Sequence, residues 1–286
     1  MGRIRRGWAL TKKSWDLLNS HRSLLHFPLY GAIATTLLAI VFLGPGLYLL
    51  DEKSTGVGIA LLVIGVYVLS VVGFYFSGGL AAAANMIFNG QEATVSDGLA
   101  VARERFGQIC GWAALSTAIS VLMGLLENQG GIFGEIAARL VGMAWSLVTF
   151  LAVPVIAIEG TGALGTLKRS ASIFRQKWGQ QITGNIAIGG LVVLLGVLPA
   201  VVLIVAGVAL WSSAAFLGAL LVVVGVLALA IALLISKALS GIFGVALYRY
   251  ATQGEAGGGF TSEELESAVR SKGDRNAPHG ATPGTI

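Results

Sequence analysis

Few residues in this chain are of a type and spacing that could do chemistry, and none of them form a catalytic set. The histidines are His21 and His26, just ahead of the first hydrophobic run, and His279 near the C-terminus. No HExxH, Gly-x-Ser-x-Gly or GxxxxGK[ST] sequence occurs. This removes the patterns that place a zinc beside its general base, a serine on a nucleophile elbow, or a phosphate in a glycine cradle. Cys110 is the single cysteine, so an intramolecular disulfide and a multi-cysteine metal site are both excluded, and the residue reads as a small apolar filler. Gly257-Gly258-Gly259 has no strand before it and reads as a linker. The expectation is a protein that is not an enzyme and takes no metal or cofactor.

Two polar sets remain. Lys12, Lys13, Lys168, Arg169, Arg175 and Lys177 lie on short amphipathic stretches beside hydrophobic runs. There they could meet anionic lipid headgroups, at about 1 kcal/mol per cation, or a partner membrane protein. Asn85, Asn185 and Glu159 form the second set, each near the end of a hydrophobic run. A transporter would use such groups to coordinate a solute inside a cavity. The plainer reading is that the asparagines bond a neighbouring helix and that Glu159 favours the start of the helix after it.

The elements that must carry these residues follow from composition. Of 286 residues, 55% are hydrophobic, 40 are glycine and only 12% are charged. A soluble domain of this length cannot hide so much apolar surface, since folding buries at most about three quarters of what a chain exposes. Windows of about 20 apolar residues mark six spans, at 27–50, 57–80, 108–126, 132–158, 181–207 and 214–236. The first is too long for a signal-peptide core and lacks a cleavage site, so it is expected to remain as an anchor. Nearly all of the 19 Lys and Arg fall on one side of these spans, leaving Lys53 and Arg139 on the other. The positive-inside rule then puts both termini in the cytoplasm and the chain in the cytoplasmic membrane. Arg139 follows Glu135 by four residues and reads as a snorkelling pair at the outer interface. With no free basic domain, the net charge of +5 does not indicate nucleic acid.

The three basic stretches resemble one another. Leu164, Leu167, Ala171, Phe174 and Trp178 recur at helical spacing, as do Val95, Leu99, Ala102, Phe106 and Ile109, and Ile4, Trp8, Trp15 and Leu18. Phe106-Gly107-Gln108 matches Trp178-Gly179-Gln180, and Lys12-Lys13-Ser14 matches Lys168-Arg169-Ser170. The fold expected is all-α: a polytopic helix bundle in which an interfacial amphipathic helix plus a transmembrane hairpin occurs three times, over about 1–84, 85–158 and 159–251. A cytoplasmic tail, 252–286, follows. In it Thr261 and Glu264 form a capping box for a helix at about 262–272, and the polar end reads as disordered.

Several of these motifs together resemble a known pattern. They are Arg5-Arg6-Gly7-Trp8 with Lys12-Lys13-Ser14-Trp15, then Pro154 to Glu159, Gly162-Ala163-Leu164 and Arg169-Ser170 through Trp178-Gly179. Ala246-Leu247-Tyr248-Arg249-Tyr250-Ala251 and Gly259-Phe260 complete it. The set is similar to an uncharacterised family of prokaryotic six-span integral membrane proteins, over most of residues 1–272. It is distantly similar to the membrane domain appended to some glycerophosphodiester phosphodiesterases, whose enzyme activity belongs to a separate soluble domain. The resemblance implies membrane architecture and brings no catalytic residues. The leading functional expectation is a non-catalytic membrane component that organises lipid or a partner protein at the cytoplasmic leaflet. The alternative is a small-solute or lipid transporter with Asn85, Asn185 and Glu159 near its pathway.

Overall fold

A computed structural model describes residues 3–51, 54–129, 131–178, 196–211 and 213–254. They are helical, with no strand among the described residues. The order is α1 (Arg3–Ser20), a 3-10 turn (Arg22–Leu25), α2 (His26–Asp51), α3 (Thr55–Phe88), α4 (Val95–Glu104), α5 (Phe106–Gln129), α6 (Gly131–Glu159) and α7 (Ala163–Trp178). Two more follow: α8 (Leu198–Ala209) and α9 (Ala215–Gln253). Among the described residues, four stretches are long and apolar enough to cross a membrane: Arg22–Leu50, Thr55–Phe88, Phe106–Leu125 and Ala215–Gln253. A fifth is reached if Val148–Glu159 and Ala163–Gln176, which meet at a 117° bend, are taken as one span. Of the expected fifth span, 181–207, only the end is described, as part of α8. Asn185, the tail helix at 262–272 and the polar end lie outside the described residues, as do the side chains of Glu135 and Arg139.

Sequence explains where the helices stop. Gly90, Gly160 and Gly254 follow α3, α6 and α9 with φ of 76°, 66° and 74°. That left-handed conformation ends a helix and suits a residue without a Cβ. The 117° bend after Gly160 turns α7 across the direction of α6, as a helix lying in a membrane interface must run relative to a span.

The core gathers at the end where α3, α6 and α9 terminate. Leu80 to Ala84, Leu18, Leu24, Phe27, Ala157, Leu239 and Ile242 form one buried cluster. Leu151, Val155, Ile173, Phe174, Phe243 and Leu247 form another, and Ala102, Ile109, Trp112, Ala152 and Ile156 a third. Away from this end the helices expose large apolar side chains, among them Leu37, Ile40, Val202, Val205, Phe216 and Leu227. In water such a surface would be untenable; in lipid, whose tails are as apolar as leucine, it is the expected exterior.

The short helices α1, α4 and α7 pack on the same core through small residues. Ser14, Gly98 and Ser170 are buried, each followed four positions later by buried Leu18, Ala102 and Phe174. At Gly98 the reason is steric: a Cβ would lie 2.5 Å from the Gly79 carbonyl oxygen and 2.6 Å from Phe27 Cζ. The packed face of α7, built from Thr166, Ser170, Ile173 and Phe174, is turned from the apolar stripe legible in its sequence, and leaves Leu164 and Ala171 exposed. Small hydroxyl residues permit the closer approach to protein, which releases the stripe's flank to face outward.

Candidate functional site

Polar side chains bonded between helices converge where α3, α6, α7 and α9 meet. Glu159 is the last residue of α6, and the turn at Gly160 brings α7 back beside it. Arg169 Nε donates to Glu159 Oε1 at 2.8 Å and to Oε2 at 3.1 Å. From α9 the Tyr248 hydroxyl donates to the same Oε1 at 2.6 Å. One carboxylate thus ties three helices. Tyr248 is buried, while the Arg169 and Glu159 side chains are 42% and 23% exposed, so solvent screens the ion pair and its net worth is modest.

The next residue of α9 reaches the other way. Arg249, 6% exposed, donates through one terminal nitrogen to Asn85 Oδ1 at 3.1 Å and to Asn89 Oδ1 at 2.5 Å. Asn85 and Asn89 are one helical turn apart at the end of α3, so both amides face the guanidinium. Successive residues on a helix project about 100° apart, which lets Tyr248 hold α6 and Arg249 hold α3. A third arginine completes the layer. The guanidinium of Arg105, which caps α4, lies over Gly160, where a Cβ would come 2.5 Å from its terminal nitrogen and 2.6 Å from Cζ. Thr161 and Thr166 share a 2.8 Å hydroxyl bond at the start of α7.

Of the residues expected to form an intramembrane polar site, Asn85 and Glu159 are brought to this layer, each bonded to α9. Of those expected to meet headgroups, Lys12, Lys168 and Arg175 are exposed, whereas Lys13 is half-buried and Arg169 is engaged with Glu159. Lys177 belongs to α7, but its side chain lies outside the described residues. Sequence reasoning missed Tyr248, Arg249 and Asn89 as functional contacts. A signal was present: an arginine inside an apolar helix that continues a span marks a polar contact by default.

Chemically the layer is a clasp. His21 and His26 sit with Nδ1 3.3 Å and 3.2 Å from backbone carbonyls of their own segments, far from Glu159 in sequence and bonded elsewhere. Among the described residues no three His, Cys, Asp or Glu side chains come together as metal ligands would. At the entry to α4, Thr94 and Asp97 form a capping box, and the Thr94 hydrogen bonds hold the Asp97 carboxyl below its usual range.

A family model described as a family of unknown function, DUF6159, matches residues 56–259. The match runs from the first turn of α3 to beyond the end of α9 and so includes every residue of the clasp. It covers more than half of the chain, which therefore belongs to that family. No curated protein matches the chain.

Proposed function

We propose that this chain is a non-catalytic component of the cytoplasmic membrane that organises anionic lipid, or a partner protein drawn to it, at the cytoplasmic leaflet. The observation that carries the proposal is the placement of exposed cations. Lys12, Arg103, Lys168 and Arg175 are exposed on α1, α4 and α7, the three short helices packed at one end of the bundle. Beside them stand exposed Trp15, Phe106 and Leu164. Apolar side chains flanked by cations suit a helix seated in an anionic interface.

The architecture proposed is six spans in three units, each an interfacial helix followed by a hairpin. The inward small residues Ser14, Gly98 and Ser170, and the left-handed glycines after α3, α6 and α9, support it. Transport is the weaker reading, because Asn85 and Glu159 are bonded across helices.

The test combines Lys12→Glu, Lys168→Glu and Arg175→Glu, which leaves the Glu159 pair intact. Mass spectrometry of protein purified in mild detergent should find several-fold less co-purifying anionic phospholipid than wild type, at an unchanged melting temperature. Equal lipid in the two preparations would overturn the proposal. For orientation, a reporter fused after residue 52 should read as outside the cytoplasm.

A further inference from the structure

The α5–α6 pair holds a feature that the clasp and the basic surface do not use. A cleft of about 410 Å³ lies between α3, α5 and α6, and Ser70, Ser116, Ser120, Ser146 and Thr149 line it. Trp145 forms part of its wall and stacks on Trp112, with ring centroids 5.6 Å apart at 15°. The volume is within the range of small-molecule sites, roughly 300–1,000 Å³.

Serine in an apolar helix ordinarily bonds the carbonyl one turn back. Ser70 does so, donating to the Val66 carbonyl at 2.7 Å, and Thr149 donates to the Ser146 carbonyl at 3.2 Å. Ser116 does not. It is 8% exposed, and its buried hydroxyl has no hydrogen-bond partner among the described residues. A hydroxyl left unpaired in an apolar setting is costly, and a ligand oxygen can remove that cost.

Depth and charge narrow the ligand. Ser116 and Ser120 lie roughly 15 and 21 Å along α5 from its first residue at about 1.5 Å per residue, near the middle of a hydrocarbon core of about 30 Å. Among the described residues, no charged side chain lines the cleft. A phospholipid headgroup cannot reach that depth without a heavy desolvation cost. An uncharged molecule, with an acceptor oxygen at one end and an apolar body, meets both conditions.

We propose that the hydroxyl-lined cleft between α3, α5 and α6 binds an uncharged, lipid-soluble molecule, held by hydrogen bonds from Ser116 and Ser120 to its carbonyl or hydroxyl oxygen and by packing against Trp145. The proposal is independent of the headgroup reading, because the residues differ.

The experiment uses the full chain in phosphatidylcholine nanodiscs, with radiolabelled 1,2-dioctanoylglycerol and decylubiquinone as probes in separate arms. At least one should bind saturably at one per chain; the arm that responds identifies a glyceride or a quinone source. Combining Ser116→Ala, Ser120→Ala and Ser146→Ala should weaken that binding at least tenfold. Ser120→Leu, which fills the cleft from an exposed position and tests the site without a buried change, should abolish it. Ser77→Ala, whose hydroxyl bonds the Gly73 carbonyl away from the cleft, should leave it unchanged. Binding of neither probe, or equal binding in wild type and the Ser120→Leu variant at matched melting temperature, would overturn the proposal.

Discussion

In the α2–α3 hairpin the helices close on glycine. A Cβ at Gly58 would lie 2.9 Å from the Leu50 nitrogen and 3.0 Å from the Gly46 oxygen, and one at Gly65 would meet Phe42 Cβ at 2.7 Å. The α8–α9 hairpin repeats this: a Cβ at Gly207 or Gly218 would lie 2.7 Å from the other's carbonyl oxygen, and one at Gly225 would lie 3.0 Å from the Ala200 oxygen. The α5–α6 hairpin differs. Gly124 faces open space, and Gly142 has only Met123 Cε, at 3.9 Å. Hydroxyl and indole side chains line the space beside its helices. Backbones in contact leave no room for a ligand, whereas helices held apart by side chains leave a cleft. At the described glycines, then, the outer two hairpins close on backbone while the middle one does not, and that difference is what the proposed cleft requires.

The largest expected effect breaks that contrast directly. Gly58→Leu and Gly225→Leu each drive a side chain into backbone of the facing helix, and overpacking of this kind costs about 1–3 kcal/mol or more. Both variants should lose several degrees of melting temperature and give heterogeneous material on size exclusion. Gly124→Leu should remain within about 0.5 kcal/mol of wild type, as surface changes do. If all three behaved alike, the outer hairpins would not be specially sealed.

The next effect concerns how the hairpins end. Gly90 and Gly160 share a left-handed backbone, but only Gly160 lies under a guanidinium. Alanine at either should cost roughly 1–2 kcal/mol from backbone strain alone. Gly160→Ala should cost more, by displacing Arg105. In a double-mutant cycle with Arg105→Ala the excess should vanish at Gly160, and no coupling should appear at Gly90. Glu159→Gln is gentler. The amide oxygen can still accept from Tyr248, while the partly exposed pair with Arg169 is worth about 0.2–1 kcal/mol. Chemical denaturation followed by tryptophan fluorescence should register a small loss, and Tyr248→Phe should add little once Glu159 is changed.

How much of this was legible in the sequence depends on what the contact is made with. The windows 27–50, 57–80, 108–126 and 132–158 fall within described helices, and 214–236 does so but for its first residue, because lipid selects for apolar side chains residue by residue. α3 and α9 run on past their windows, to Phe88 and Gln253. There protein replaces lipid as the solvent: Ala81 to Ala84 and Ala238 to Arg249 are buried apart from Ser240 and Gly241, and small or polar residues serve as well as apolar ones. Asn85 and Glu159 stood out as polar groups at span ends, but their partners did not. Tyr248 is 89 positions from Glu159 and Arg249 is 164 from Asn85, and no local period encodes a pairing at such separation. The inward face of α7 was misleading for a related reason, since Thr166 and Ser170 are polar in composition yet small enough to be core. The cleft was invisible as a cleft. Ser116, Ser120 and Gly124 recur every four residues, a spacing that serves close helix packing equally well, and only the positions of α3 and α6 leave a cleft beside the two serines.

The smallest effect separates the entries to the hairpins. α7 begins with the Thr161–Thr166 hydroxyl pair, which does not titrate at ordinary pH, whereas α4, the helix that leads into the open hairpin, begins with a carboxylate. Thr94 donates to Asp97 Oδ2 from its hydroxyl at 2.6 Å and its backbone nitrogen at 2.9 Å, and the Asp97 nitrogen returns a 3.3 Å bond to Thr94 Oγ1. Both donors favour the ionised form, so the folded carboxyl titrates below its unfolded value. A depressed folded pKa means that the stabilisation is fully present above the unfolded carboxylate range, about pH 4, and is lost as pH falls through the folded value. Amide exchange in the first turn of α4, Val95 to Gly98, should therefore accelerate on acidification below about pH 4 relative to the first turn of α7, after correction for intrinsic rates. Asp97→Ala should remove that pH dependence and hold exchange at the fast level throughout. If instead wild type and variant exchanged alike at neutral pH, the box would not be what anchors this entry, and the two kinds of hairpin would differ in their interiors only.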